Sequence, residues 1–264
     1  MTARTLDLEG ARMYLEEAGQ GEAVVLLHAG VADSRMWDPQ FEPLSRSYRT
    51  VRYDRRGFGR TRTVTTPFSH RSDLGALLDR LGIARAHLVG CSQGARIALD
   101  FALEAAERVR SLTLISPALG GFRATGPCPR QVPDLEAADA ADDVALFNEL
   151  EVQVWADGPY RDAQQVDPAY RALVADMNRI TLELPPPGPE QDLERPAAGR
   201  LGELRCPVLI VCGTLDQPRA LEAAQFLRAG VPQAGYAELE AAHLPSLERP
   251  EAFTSLLLEF LNDH

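Results

Sequence analysis

Residues 87–101 read HLVGCSQGARIALDF, an apolar run that turns helical across a serine bracketed by glycines. A strand that enters a helix through a one-residue corner holds that corner in a strained backbone conformation, and bulky neighbours would clash with it. Gly90 and Gly94 leave that room around Ser92. The corner pushes the Ser92 hydroxyl out at the C-terminal end of the strand, and the backbone N–H of Gln93 opens the following helix with no helical partner of its own. A serine hydroxyl is a weak nucleophile without a base, and the base needs an acid to fix its tautomer. Both follow in the order acid, then base. Asp216 closes PVLIVCGTLD (207–216), and His243 lies in EAAHLPSLERPEAF (240–253), each just past a predicted strand.

Working outward, short β-branched or leucine-rich runs alternate with longer amphipathic stretches, the signature of parallel βαβ units. Strands are predicted at 23–28, 49–54, 86–91, 111–116, 207–212 and 234–240. RTLDLEG and RMYLEEAG precede them and are too close for a helical crossover, so they form an antiparallel hairpin at one sheet edge. Helices are predicted at Met36–Leu44, Ser72–Leu81, Gln93–Ala106, Arg219–Ala229 and Pro250–Leu261. The alternation breaks between about 119 and 200, where two helical stretches end at PPPGP. The fold class is therefore α/β: a doubly wound, mostly parallel eight-stranded sheet with helices on both faces. Residues 1–118 and 201–264 form the core, and 119–200 form a helical cap insertion.

Composition excludes several functions. With 38 acidic and 27 basic residues the net charge is −11, and no basic face is present to hold nucleic acid or an anionic membrane. MTARTLDLEG lacks an apolar signal core, and no run reaches the roughly 18 apolar residues of a membrane span; a cytoplasmic location is expected. Cys91, Cys128, Cys206 and Cys212 show no CxxC spacing, so neither a metal nor a redox site is implied, and all four read as small buried residues. GFGRTR has Arg62 where a dinucleotide fingerprint needs its third glycine. The chemistry calls for no cofactor and no metal ion.

An acyl-transfer intermediate needs two donors for its oxyanion. The small-residue loop in LLHAGVADSRMW (26–37) supplies one, assigned to the N–H of Gly30 with Val31 as the alternative, and Gln93 N–H supplies the other. His28 reads as a hydrogen-bonding support of that loop.

LLHAG, GCSQG, CGTLDQP and AAHLPSLERPEAF together resemble the α/β-hydrolase superfamily, and the likeness covers nearly the whole chain. YDRRGFGRT (53–61) is similar to the family's turn after its fourth strand, where Asp54 and Arg56 read as structural pins. His28-Ala29 stands where many relatives have His-Gly, and Ala95 where a second glycine often follows the elbow. The resemblance implies a catalytic triad of Ser92, Asp216 and His243. It also implies that the insertion roofs a pocket, for which Val31, Phe122, Phe147, Trp155, Tyr160 and Met177 are the candidate lining residues.

The implied reaction is hydrolysis of a small-molecule ester or lactone through an acyl-enzyme. AAHLPSLERPEAF is similar to the corresponding stretch of enol-lactone hydrolases. A carbon–carbon hydrolase, a cofactor-free perhydrolase or haloperoxidase, and a small-ligand receptor of the same fold are the alternatives. For the first, an aromatic after the histidine is expected, and Leu244 stands there. Dehalogenases and epoxide hydrolases place aspartate at the elbow and are disfavoured.

Overall fold

Side chains of the central strands alternate between two apolar layers, and this alternation sets the architecture. The computed structural model describes residues 1–264. Its strands are β1 (Thr2–Leu8), β2 (Ala11–Ala18), β3 (Ala23–Leu27), β4 (Arg49–Tyr53), β5 (Arg62–Thr63), β6 (Ala86–Cys91), β7 (Val109–Ile115), β8 (Val208–Gly213) and β9 (Gly235–Leu239). Eight of them run in the order β1-β2-β4-β3-β6-β7-β8-β9. The ninth, β5, is a two-residue strand paired with β2 that the pattern of apolar residues did not mark. β1 and β2 form the antiparallel edge hairpin, and from β4 to β9 the sheet is parallel.

The helices are α1 (Asp38–Ser45), α2 (His70–Arg80), α3 (Gln93–Glu104), α4 (Val132–Ala140), α5 (Val144–Val152), α6 (Pro168–Glu183), α7 (Pro218–Gly230), α8 (Pro245–Glu248) and α9 (Pro250–Asn262). Val25 and Leu27 of β3 face the layer built with α2, α3 and α7, while Val24 and Leu26 face the layer built with α1 and α9. Covering both faces explains why the central strands are apolar without interruption.

The insertion between β7 and β8 contributes α4, α5 and α6. Asp167 caps α6 by accepting the Tyr170 N–H at 2.8 Å, Pro168 occupies its first turn, and the proline run from Pro185 ends it. The helices of the insertion span 132–183, a shorter range than 119–200. Leu119, Leu193 and Ala197, at the ends of that wider range, pack into the sheet's own core.

Strand register positions the site. Leu27 pairs with Gly90, Cys91 with Ile115, Ile115 with Val211 and Gly213 with Leu239. The loops that leave these strands therefore emerge side by side at the C-terminal edge, where open α/β sheets bind ligands. The turn after β4 is pinned from within. Asp54 accepts the N–H groups of Ser34 and Arg60, both at 2.8 Å. Arg56 is buried and donates to both oxygens of Asp73, at 2.9 and 2.7 Å. Replacing Arg56 by Ala strands a buried carboxylate and is expected to cost about 3–5 kcal/mol. Urea denaturation measures this, and a loss below about 1 kcal/mol would show that the pair does not hold the turn.

Candidate active site

Ser92 has φ 54° and ψ −113°, a left-handed backbone that a side chain other than glycine's rarely adopts. Its neighbours show why the corner is possible. A Cβ on Gly94 would lie 2.2 Å from the Leu27 carbonyl oxygen, and one on Gly90 would lie 2.3 Å from that of Gly94. α3 thus begins against the end of β3, closer than any alanine allows. The Ser92 N–H donates to Ile115 O at 2.8 Å and fixes the corner to β7.

Asp216 stands three residues beyond β8, and His243 lies between β9 and α8. His243 Nδ1 donates to Asp216 at 2.8 and 3.0 Å, with both side chains buried. With the proton on Nδ1, the Nε2 lone pair is free to accept one. His243 and Ser92 both line one cavity of about 740 Å³. No hydrogen bond joins the two side chains, and catalytic contacts of this kind often tighten only in the substrate complex.

The imidazole is held from several sides. A π-helical turn, Gln153–Asp157, continues α5 and lays the Trp155 ring against His243, with ring centroids 4.5 Å apart. The Trp155 carbonyl accepts the His243 N–H at 3.3 Å. Arg161 donates to the carbonyls of Ala156 and Asp157 and to Glu248, whose carboxylate also accepts the Ala242 N–H at 2.9 Å. A single ion pair therefore ties the inserted helices to the histidine loop. Arg35 makes a second tie, from Asp33 beside β3 to Asp176 of α6.

The N–H groups of Gly30 and Val31 have no partner within the chain, and His28 orders their loop. His28 Nδ1 donates to Ala29 O at 2.8 Å, and Nε2 accepts the Arg55 N–H at 3.0 Å. Burial, reinforced by the Arg55 charge, pushes His28 well below the usual histidine range, so it is a neutral support.

Of the residues proposed to line the pocket, Phe122 and Trp155 do so. Four do not. Met177 is fully buried in the layer around α6, Val31 is buried within its loop, and Tyr160 projects into solvent at 62% exposure. Phe147 sits on the outward first turns of α5 and is half-buried away from the cavity. Amphipathic spacing places an aromatic on a face without saying which space that face meets.

Other lining groups escaped sequence reasoning. Ser116 follows β7 with φ 42° and carries a buried hydroxyl with no partner. Glu151, which accepts Asn178 Nδ2 at 2.9 Å, is pushed above the usual carboxylate range by burial. Arg123 and Arg219 stand exposed at the rim. The signal available in the sequence was positional: Ser116, like Ser92, directly follows a central strand.

The chain belongs to the alpha/beta hydrolase fold family, whose model matches residues 22–250. It is 27% identical to the 2-hydroxy-6-oxo-6-phenylhexa-2,4-dienoate hydrolase of Burkholderia cepacia, over 99% of this chain and 95% of the relative. It is 30% identical to the 2-hydroxy-6-oxononadienedioate/2-hydroxy-6-oxononatrienedioate hydrolase of Escherichia coli K12, over 98% and 96%. Among solved structures, the enol-lactonase of Burkholderia xenovorans LB400 superposes with a TM-score of 0.79 at 23% identity, covering 98% of this chain and 99% of that one. The family makes the protein a hydrolase. No helix is long and apolar enough to cross a membrane.

Cys91 precedes the Ser92 corner but is fully buried, with its Sγ 3.8 Å from the His243 carbonyl, and burial drives its thiol pKa far up. Cys206 and Cys212 are buried as well, whereas Cys128 is exposed, contrary to the uniform reading of the four. Its segment leads into α4 outside both apolar layers. A thiol reagent is expected to titrate one cysteine per native chain and four after denaturation. A second fast-reacting thiol in the native protein would contradict the burial of Cys91, Cys206 and Cys212.

Proposed function

We propose that this protein is a serine hydrolase acting on small carboxylic esters or lactones through an acyl-enzyme. The observation that carries the reading is the buried Asp216–His243 hydrogen bond, opening on the same cavity as a serine in a strained left-handed corner. In this mechanism His243 Nε2 takes the Ser92 proton as Oγ attacks the acyl carbon. The oxyanion forms opposite the N–H groups of Gly30 and Gln93. His243 then protonates the leaving oxygen, and water repeats the cycle on the acyl-enzyme, restoring Ser92. Asp216 keeps the imidazole in the reactive tautomer throughout.

The helix α4, the helix α5 and the π-helical turn that continues it act as a cap, and Val132, Leu135, Val154 and Trp155 give the cavity an apolar wall suited to an acyl chain or lactone ring. The two relatives named for dienoate hydrolysis support a second reading, in which the same groups cleave a carbon–carbon bond. Against it, the residue after the catalytic histidine is Leu244, which is buried in the core and not among the cavity-lining residues.

A fluorophosphonate is expected to label Ser92 alone, identified by peptide mapping. Ser92→Ala should lower ester turnover by at least about 10⁴-fold with the fold intact, and Asp216→Asn somewhat less. Nitrophenyl esters and small lactones should be turned over faster than a 2-hydroxy-6-oxo-dienoate, followed by loss of its visible absorbance. The reverse order would establish the carbon–carbon reading. Tight ligand binding without turnover would instead make the chain a receptor.

A further inference from the structure

Arg55 is a fully buried arginine with no carboxylate partner. Its guanidinium contacts only neutral groups, with the Glu190 carboxylate acting on it from beyond hydrogen-bond reach. It donates to Ala29 O at 3.2 Å, lies 3.5 Å from His70 Nε2, and stacks on the Phe58 ring at 4.2 Å, while its Nε has no partner. The histidines beside it, His28 and His70, are held neutral, first by burial and then by Arg55 itself. The adjacent Asp54 spends its two oxygens on backbone N–H groups. Burial brings even this guanidinium down to about 10. An unmatched buried charge is costly, and such a cost persists where function uses it.

The last acceptor shows the use. Both terminal nitrogens of Arg55 donate to Gln93 Oε1, each at 3.3 Å. A guanidinium has no acceptor, so the carboxamide is forced to turn its oxygen to Arg55 and its N–H₂ away. Gln93 Nε2 then lies over Gly30, so close that a Cβ there would be 2.8 Å from it. Gly30 and Gln93 are the two residues proposed to hold the acyl oxyanion.

We infer that Arg55 is a positioning residue that orients the Gln93 carboxamide as an additional donor beside Gly30 and sets a fixed positive charge behind the oxyanion donors. The inference rests on the serine-hydrolase reading above. It selects for reactions in which negative charge grows at that point, and it acts on the transition state more than on the bound substrate.

The test compares wild type with Arg55→Met in the full-length enzyme, using nitrophenyl butyrate turnover, thermal unfolding and inhibition by an aryl trifluoromethyl ketone. The ketone carbonyl takes Ser92 Oγ and becomes an anionic hemiketal, the serine proton passing to His243. For Arg55→Met the expected outcome is kcat lower by about 10- to 100-fold, KM within about twofold, and ketone affinity falling in parallel with kcat. Tm should hold or rise, because an unmatched buried charge is removed at similar volume. Unchanged kcat overturns the inference, as does a fall in kcat and Tm together with ketone affinity preserved. Gln93→Met, at an exposed position where folding is not at stake, should also weaken the ketone, and an unchanged affinity there overturns it equally. Wild type that neither turns over esters nor takes a fluorophosphonate removes the hydrolase reading and this inference with it. Active, labelled wild type with indifferent variants removes the inference alone.

Discussion

The contact between the start of α3 and the end of β3 is the constraint on which the rest depends. Gly94 lies against the Leu27 and His28 carbonyls with no room for a methyl group. That closeness requires Ser92 to take a left-handed backbone, and the backbone projects its hydroxyl beyond the sheet. Because β3 and β6 are neighbours in register, the same contact sets the Gly30 loop beside the serine. Two and three strands beyond β6, β8 and β9 deliver Asp216 and His243 to the same edge. The geometry of a chemical site is thus inherited from strand order and one pair of glycines.

The site's electrostatics follow a similar economy of placement. Histidines at this edge of the sheet are sorted by their surroundings: His243 faces a carboxylate, while His28 is kept neutral by burial and the Arg55 charge, its ring nitrogens serving a backbone carbonyl and a backbone N–H. Arg55 keeps its charge without a counterion among these groups. Fixed charge in a buried setting needs no reorganisation when a reaction begins, which is why its position matters more than its distance from solvent.

Much of this was legible in the sequence because it is local or periodic. GCSQG carries its own steric argument, and Asp216 and His243 are marked by their place after strands. The alternation of apolar runs with helices gives the sheet, since period two and period 3.6 are properties of neighbouring residues. What was not legible depends on long-range placement. Phe147, Tyr160 and Met177 look alike as cap aromatics or apolar residues, yet they meet a partial surface, solvent and a closed core respectively. Cys128 differs from the other cysteines only in what packs around it. Arg55 looked like one of two tandem arginines in YDRRGFGRT. Only the fold shows that Arg56 has Asp73 and Arg55 has no carboxylate.

The π-helical turn at Gln153–Asp157 has a bearing on how such a chain varies by mutation. Bonding from i to i+5 holds one more residue than an α-helical turn, so the segment is equivalent to an α-helix lengthened by a single codon. Deleting that codon would rotate every side chain beyond it by about 100°. Trp155 would leave the imidazole, and Asp157 would leave Arg171. A one-residue change in reading-frame length, remote in sequence from Ser92, Asp216 and His243, would re-aim the wall of the cavity without touching the sheet that carries them.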